Sequence, residues 1–478
     1  MRSCARPLGP EDFVAALYRI DEIAAASGGV ARDVAADTVS AISIDSREIA
    51  PGALFVAIKG ENFDGHDFVS KAVEAGAVAA LVSRDRADAL SGLPLIIVED
   101  ALDGLYGLAA FSRSRSKARI IAVTGSVGKT STKEALRVAL EANGRTHASI
   151  KSFNNHWGVP LMLARMPADT EFGVFEIGMS AAGEITPLSK LVRPHVAMVT
   201  TVAPAHLEFF PSEAAIADAK AEIFSGVGPG GLAIIGRDHG HVERLVGAAE
   251  AARLATLTYG FADADVRISD YRATRSGAEG HVEGDGLSLD LSIATVGRHM
   301  MANGVAALLA ARAVGGDVQK SLAALASHGA PEGRGAAILL GERSNPIRLI
   351  DESYNANPTS MRAALEVFAQ MTTPGRRILV LGDMRELGTA SADYHAGLAD
   401  AVRAAKPDLV FVVGEHMAGL GEVLPDGLVA GRAQAVDEIA EAVLETLAPG
   451  DSVMLKGSNG MRLGALVARI RDRFGEKE

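Results

Sequence analysis

A chain of 478 residues is too long for one hydrophobic core, so three domains are expected, and 48% hydrophobic with 22% charged residues and 51 glycines excludes a disordered or fibrous chain. A net charge of -12 repels nucleic acid and anionic lipid, which leaves any phosphate site to local backbone N–H groups, a few cations and a metal ion. The single cysteine, Cys4, rules out an intramolecular disulfide and a cysteine-built metal site, and with no signal-peptide core and no run of eighteen apolar residues a soluble, cytoplasmic monomer is expected, without membrane insertion.

Residues 1–112 read as a small α/β domain: short strands in TVSAISIDSREI and ALFVAIKG, a helix in DFVSKAVEAGA, then strands in VAALVS and PLIIVED. The polar, basic stretch FSRSRSKAR, residues 111–119, suits a helix end running into a linker. The second domain, 113–332, opens with the apolar strand IIAVTG, a glycine-containing turn and the helix KTSTKEALRVALEANG, in which Leu136 and Leu140 fall at helical spacing before a glycine stop. Strands in EFGVFEIG, HVAMVT and GLAIIG alternate with helices such as SEAAIADAKAEIF, which implies a parallel sheet with right-handed crossovers. Residues 264–296 alternate at period two about glycine-rich turns and predict an antiparallel hairpin. The βα alternation restarts near Gly335 with IRLIDE, RRILVLGD, DLVFVVG and DSVMLKG, a Rossmann-like third domain over 333–478.

Between the strand and helix that open the second domain lies TGSVGKTS, Thr124 to Ser131. There the backbone N–H groups of Gly125, Ser126, Val127 and Gly128 and the helix N-terminus can cradle phosphate oxygens. Lys129 would neutralise them and the Thr130 hydroxyl would reach Mg2+. Val123 stands where the longer phosphate-loop pattern has its first glycine, so this is the short G-x-x-G-K-[ST] form. The alternative is an ordinary glycine-rich βα turn.

Four separated segments resemble the Mur ligase family: DSREIAPGALFVAIKGENFDGHDF (45–68), TGSVGKTSTKE (124–134), NNHWGVPL (154–161) and DESYNANPTSM (351–361). DESYNANP and LGDMRELG (381–388) resemble the branch that adds D-alanyl-D-alanine, and the D-N-P-R tetrapeptide of the branch adding the third amino acid is absent. The resemblance implies an α/β chain with a substrate-binding first domain, a central ATPase domain and a third domain that brings the amine and closes on ATP. It also implies a reaction: ATP phosphorylates the free carboxylate of a UDP-N-acetylmuramoyl-tripeptide, and the amine of D-alanyl-D-alanine attacks the acyl phosphate. The rival readings are the preceding Mur ligase, a folylpolyglutamate synthase and a non-catalytic nucleotide switch.

The same resemblance implies residue roles, each beside a plainer alternative. Two Mg2+ ions would be held by Thr130, Glu176, His206 and Lys220, the last as a carbamate formed with CO2. Glu176, at the end of an apolar strand beside the loop, is the best carboxylate candidate, with a solvated strand-end charge as its alternative; sequence alone makes His206 a loop histidine and Lys220 a surface lysine between Asp218 and Glu222. Asn303, in GRHMMANG, would contact adenine, although Met300 replaces the family's first Asn there and leaves His299 open. Arg334, Asp351 and Tyr354 would face the nucleotide and Asn355 and Asn357 the amine substrate; the alternative is a strand-to-helix turn with an N-cap. Lys456, with Asn154 and Asn155, would bind substrate, though MLKGSNG also suits a surface turn. Ser46, Arg47, Asn62, Asp64, Gly65 and His66 would recognise the UDP-muramoyl group, or simply form a turn.

Overall fold

The computed structural model describes residues 16–205, 207–274 and 276–475, folded about three main sheets. The first has five strands in the order Val30–Arg32, Leu95–Val98, Ala79–Ser83, Ala53–Val56, Ala41–Ser43, parallel except for the antiparallel edge strand Val30–Arg32. The helix Ala101–Arg115 follows, started by the Asp100 carboxylate, which accepts from the N–H groups of Leu102 and Asp103. It runs three residues past the expected boundary at 112, because its face of Leu105, Leu108 and Ala109 belongs to a core shared with Val159, Leu161 and Met162 of the central domain. The first two domains are therefore packed on one core, and the chain crosses at Ser116–Ala118.

The central sheet is built outward from Arg119–Thr124, with Phe172–Glu176 then Thr146–Ala148 on one side and Val196–Val199, Leu232–Gly236 and Ala255–Gly260 on the other, all parallel. Strands such as Arg119–Thr124 and Val196–Val199 are buried on both faces, which is why they read as continuous apolar runs rather than alternations. The hairpin expected at 264–296 is instead a three-stranded antiparallel meander, Val266–Ala273, Ala278–Gly284 and Leu287–Ile293. Its first strand pairs parallel with Ala255–Gly260, so it extends the central sheet. The overlooked middle strand, AEGHVEG, points Ala278, Gly280 and Val282 inward, and its two glycines hide the apolar alternation.

The third sheet runs Ala336–Leu340, Ile347–Glu352, Ser452–Lys456, Arg377–Gly382, Leu409–Val413, Val429–Ala433. Its four anticipated strands are parallel and central; the two overlooked ones are edges, one antiparallel, with half-exposed residues that give a weak pattern. The carboxyl ends of the central and third sheets both supply residues to one cleft, the place where open α/β sheets bind ligands.

Candidate active site

That cleft is a cavity of about 760 Å³. Its floor is the phosphate loop. An added Cβ at Gly125 would lie 1.9 Å from Thr200 Oγ1, and Gly128 combines φ +88° with a Cβ position 2.8 Å from Asn303 Oδ1, so neither position admits a side chain without strain. Thr200 donates its hydroxyl to the Val127 carbonyl at 2.6 Å and Ser126 donates to Ala203 at 3.0 Å, which fixes the loop from the neighbouring strand end. Lys129 opens the helix Lys129–Glu141 and donates Nζ to the Gly125 carbonyl at 2.6 Å. Burial lowers its pKa, while Glu176 partly opposes that shift.

Glu176, at the end of its strand, is only 1% exposed, so it is not a solvated charge. Thr130 donates its hydroxyl to Glu176 Oε2 at 2.9 Å, and the Asn154 amide donates to Oε1 at 2.7 Å. A buried carboxylate with a hydroxyl beside it is a hard oxygen pair of the kind Mg2+ takes. Among the described residues no three His, Cys, Asp or Glu side chains gather to hold a metal.

Lys220 is 2% exposed in the helix Glu213–Ala221, and the surface reading of it is overturned. Its flanking acids are used elsewhere: Asp218 pairs with Arg244, and Glu222 accepts from the N–H groups of Gly183 and Thr186. Burial, with Lys129 nearby, pulls the Lys220 pKa well below its ordinary value. His206 lies outside the described residues.

Residues 126–131, Glu176, Asn154, Asn155 and Asn303 line the cavity from the central domain; Arg334, Tyr354, Asn355, Asn357 and Lys456 line it from the third-domain side. Asn303 stands at the phosphate end, against Gly128, and its amide reaches the Met300 sulfur at 3.9 Å. The Arg334 guanidinium lies 4.3 Å from the Tyr354 ring centroid, and the Tyr354 hydroxyl donates to Ser152 across the domain boundary.

Lys456 is buried at its strand end, where it donates to Glu352 at 3.1 Å and to the Asn355 carbonyl at 3.0 Å. It is a pillar beneath the Asn355 loop rather than a surface cation. The Asn357 side chain accepts from the Ser360 N–H in a capping box that starts the helix Pro358–Gln370, so the N-cap reading holds for it even though it also lines the cavity. Asp351 lies instead on a second cavity of about 490 Å³ that meets the first at Thr130, Ser152, Arg334 and Tyr354. Its Oδ1 accepts from the Ser353 N–H at 3.1 Å and hydroxyl at 2.6 Å.

A family model described as the Mur ligase middle domain matches residues 123–311, one described as the Mur ligase glutamate ligase domain matches 338–459, and one described as the Mur ligase family catalytic domain matches 38–104. The UDP-N-acetylmuramoyl-tripeptide--D-alanyl-D-alanine ligase of Escherichia coli is 38% identical over 81% of this chain and 86% of its own length. The chain belongs to the Mur ligase family. The Rickettsia prowazekii ligase of the same name is 32% identical over 89% of this chain and 94% of its own. Among solved structures, MurF from Acinetobacter baumannii superposes with a TM-score of 0.83 at 28% identity over 95% of this chain and 99% of its own. The MurF ligase of Thermotoga maritima in complex with ADP gives 0.76 at 26%, over 90% and 97%. A UDP-N-acetylmuramoyl-L-alanyl-D-glutamate--2,6-diaminopimelate ligase matches at 0.51 and 16% identity, a likeness of fold alone.

None of the first-domain positions expected to bind substrate lines the cavity of this Mur ligase. Arg47 is exposed beside Ser46 and paired with Asp45 at 2.6 Å, which lowers the Asp45 pKa to about 2. Asp64 and His66 turn inward: the His66 Nδ1–Asp64 contact is 2.6 Å, Nε2 accepts from the Ser83 N–H at 2.9 Å, and Arg86 joins Asp64 at 2.8 Å. Gly65 passes so close to Ile58 that a Cβ would lie 2.7 Å from its carbonyl oxygen, while Asn62 stays exposed at the loop tip. Sequence reading passed over Ser152, Glu352, Tyr259, Phe261 and Arg298, which also line the cavity. Glu352 lay inside a quoted motif and Ser152 two residues before one; Phe261, with the Arg298 guanidinium 3.7 Å from its centroid, carried no local signal.

Proposed function

We propose that this Mur ligase uses ATP to join D-alanyl-D-alanine to UDP-N-acetylmuramoyl-tripeptide, giving the UDP-muramoyl pentapeptide of peptidoglycan synthesis. The observation that carries the reading is a single cavity in which the phosphate loop and the buried Glu176–Thr130 pair face the Tyr354–Asn357 loop of the third domain, in a chain whose relatives bear that name. The preceding Mur ligase is the weaker alternative, since the structure bearing that activity shares the fold alone. A pure nucleotide switch has no use for the buried Lys220.

A carboxylate resists nucleophiles because its charge repels them and it lacks a leaving group. Transfer of the γ-phosphoryl group to the tripeptide carboxylate gives an acyl phosphate and ADP; the dipeptide amine then bonds to the carbonyl carbon, phosphate leaves, and the amine gives up a proton. Lys129 and the loop N–H groups hold the phosphates, and Arg334 reaches the same cavity from the domain junction. Thr130 and Glu176 would hold Mg2+, which would supply positive charge against the phosphates. Lys220, as a carbamate, and His206 would hold a second ion. Ser46, Arg47 and the Asn62–His66 loop are assigned to the UDP-muramoyl end, and Asn355, Asn357 and Lys456 to the amine side. Among the described residues no helix is long and apolar enough to cross a membrane, and we place the enzyme in the cytoplasm as a monomer.

The test is phosphate release from ATP. It is expected to require both UDP-N-acetylmuramoyl-tripeptide and D-alanyl-D-alanine; release that needs neither, or a preference for a dipeptide precursor with a diamino acid, would sink the reading. Gly128→Ala is expected to weaken ADP binding at least about tenfold and to destabilise the fold by about 1–2 kcal/mol, because the left-handed backbone and the Asn303 contact both oppose a methyl group. Titration calorimetry and thermal unfolding read the two effects separately.

A further inference from the structure

The helix that follows the phosphate loop carries a second lysine, Lys133, whose side chain is wholly buried. An ammonium removed from water must find partners for its N–H bonds. Lys133 Nζ donates to the Ser149 carbonyl at 2.7 Å and to the Lys151 carbonyl at 3.3 Å, and pairs with Glu134 at 2.6 Å. Arg137 in turn holds Glu134 at 2.8 Å.

Those two carbonyls belong to the segment 149–155, where all three domains meet. Lys151 reaches Glu48 of the first domain at 2.8 Å, Ser152 accepts from the Tyr354 hydroxyl of the third, and Asn154 holds Glu176 at 2.7 Å. The segment does not take this course by its own preference: Lys151 has φ +49°, a left-handed conformation that a residue with a side chain keeps only when its surroundings impose it. Lys133 holds it from beneath through the Ser149 and Lys151 carbonyls, and it lines the adjoining cavity of about 490 Å³ but not the nucleotide cavity.

We propose that Lys133 is a positioning residue for ligation. By fixing 149–155 it sets the register in which Tyr354 and the third domain close on Glu176 and the phosphate loop. The assignment rests on the ligase reading of the cavity. Lys133→Met keeps the aliphatic stem and loses all three donors. Its kcat is expected to fall about 30- to 100-fold, the loss typical of a misplacement of about 1 Å, and its Tm to drop, while ADP affinity holds. Because Lys133 holds the Ser149 and Lys151 carbonyls and Tyr354 bonds Ser152 of the same segment, the losses from Lys133→Met and Tyr354→Phe are expected to be non-additive in a double-mutant cycle.

Parent-like kcat in Lys133→Met, additive losses, or ADP affinity falling in step with kcat would each overturn the proposal. If Lys133→Met is insoluble, Lys133→Arg, which keeps charge and donors in a different shape, enters the same cycle. Hydrogen exchange of the parent enzyme gives a variant-free check: the amides of 149–155 are expected to be protected, and exchange at the rate of an open loop would refute the hold. A parent enzyme that fails to ligate would instead remove the ligase reading, with the exchange measurement still deciding what Lys133 does.

Discussion

Lys129→Met is expected to cut kcat/KM for ligation about 10³-fold, equivalent to about 4 kcal/mol of lost transition-state stabilisation, without destabilising the fold. The two effects separate because of how Lys129 is held. Among the described residues its Nζ bonds only to the Gly125 carbonyl of its own loop, and burial disfavours its charge. Methionine fills the same space without that desolvation cost, so Tm is expected to stay level or rise. Charge spread over the transferring phosphoryl oxygens, by contrast, would lose a fixed cation of the loop that cradles them. Arg334 approaches from the domain junction, as its opposing effect on the charged form of Lys129 indicates, yet it is engaged with the Tyr354 ring. Steady-state kinetics and thermal unfolding of the one variant decide the matter. A loss below tenfold, or a fall in Tm large enough to account for the loss, would show that Lys129 is structural.

The phosphate loop was legible in the sequence because its geometry demands particular residues at fixed spacing. Gly125 and Gly128 occupy positions where a side chain would strike Thr200 or Asn303, and the strand before them is a plain apolar run. The apolar strands Arg119–Thr124, Phe172–Glu176, Val196–Val199 and Leu232–Gly236, and the four central strands of the third sheet, were legible for the same local reason, whereas the parallel strands Thr146–Ala148 and Ala255–Gly260 were not. What escaped was set by contacts distant in sequence. Glu352 and Lys456 are paired across 104 residues, and neither local context marks either as buried. Asp64 and His66 sit in a polar loop that reads as solvated, but Arg86 and the Ser83 N–H draw them inward. Asp351 was expected to meet the nucleotide because its motif does, whereas Ser353, two residues on, turns the carboxylate toward the neighbouring cavity. The edge strands Ala336–Leu340 and Val429–Ala433 escaped because one-sided burial leaves little apolar patterning.

Lys220 shows the same limit most sharply, and its replacement carries the second large effect. Asp218 and Glu222 flank it in sequence and imitate a charged surface face, but the chain spends both on other partners and leaves the amine buried with Lys129 as a charged neighbour. Burial pulls the pKa of a lysine so placed well down, which favours the neutral amine, and a neutral amine is the form that adds CO2: the nitrogen lone pair would bond to carbon, one proton would leave, and a carbamate anion would result. On the proposed reading, such an anion would convert the repulsion with Lys129 into attraction and would supply oxygen donors that a bare amine cannot offer Mg2+. Lys220→Ala is therefore expected to lower kcat/KM about 10³-fold, with partial recovery on adding a short-chain carboxylate that can occupy the vacated space. In CO2-free buffer the uncarbamylated parent should gain stability as pH rises from the lowered folded pKa toward 10.5, since over that window the unfolded chain binds a proton that the folded one does not. Lys220→Met should flatten that rise. Carbon-13 NMR in labelled bicarbonate is expected to show one carbamate signal that Lys220→Ala abolishes. An enzyme fully active after CO2 depletion, with no such signal, would leave Lys220 as a buried core residue and remove the proposed carbamate ligand for a second ion.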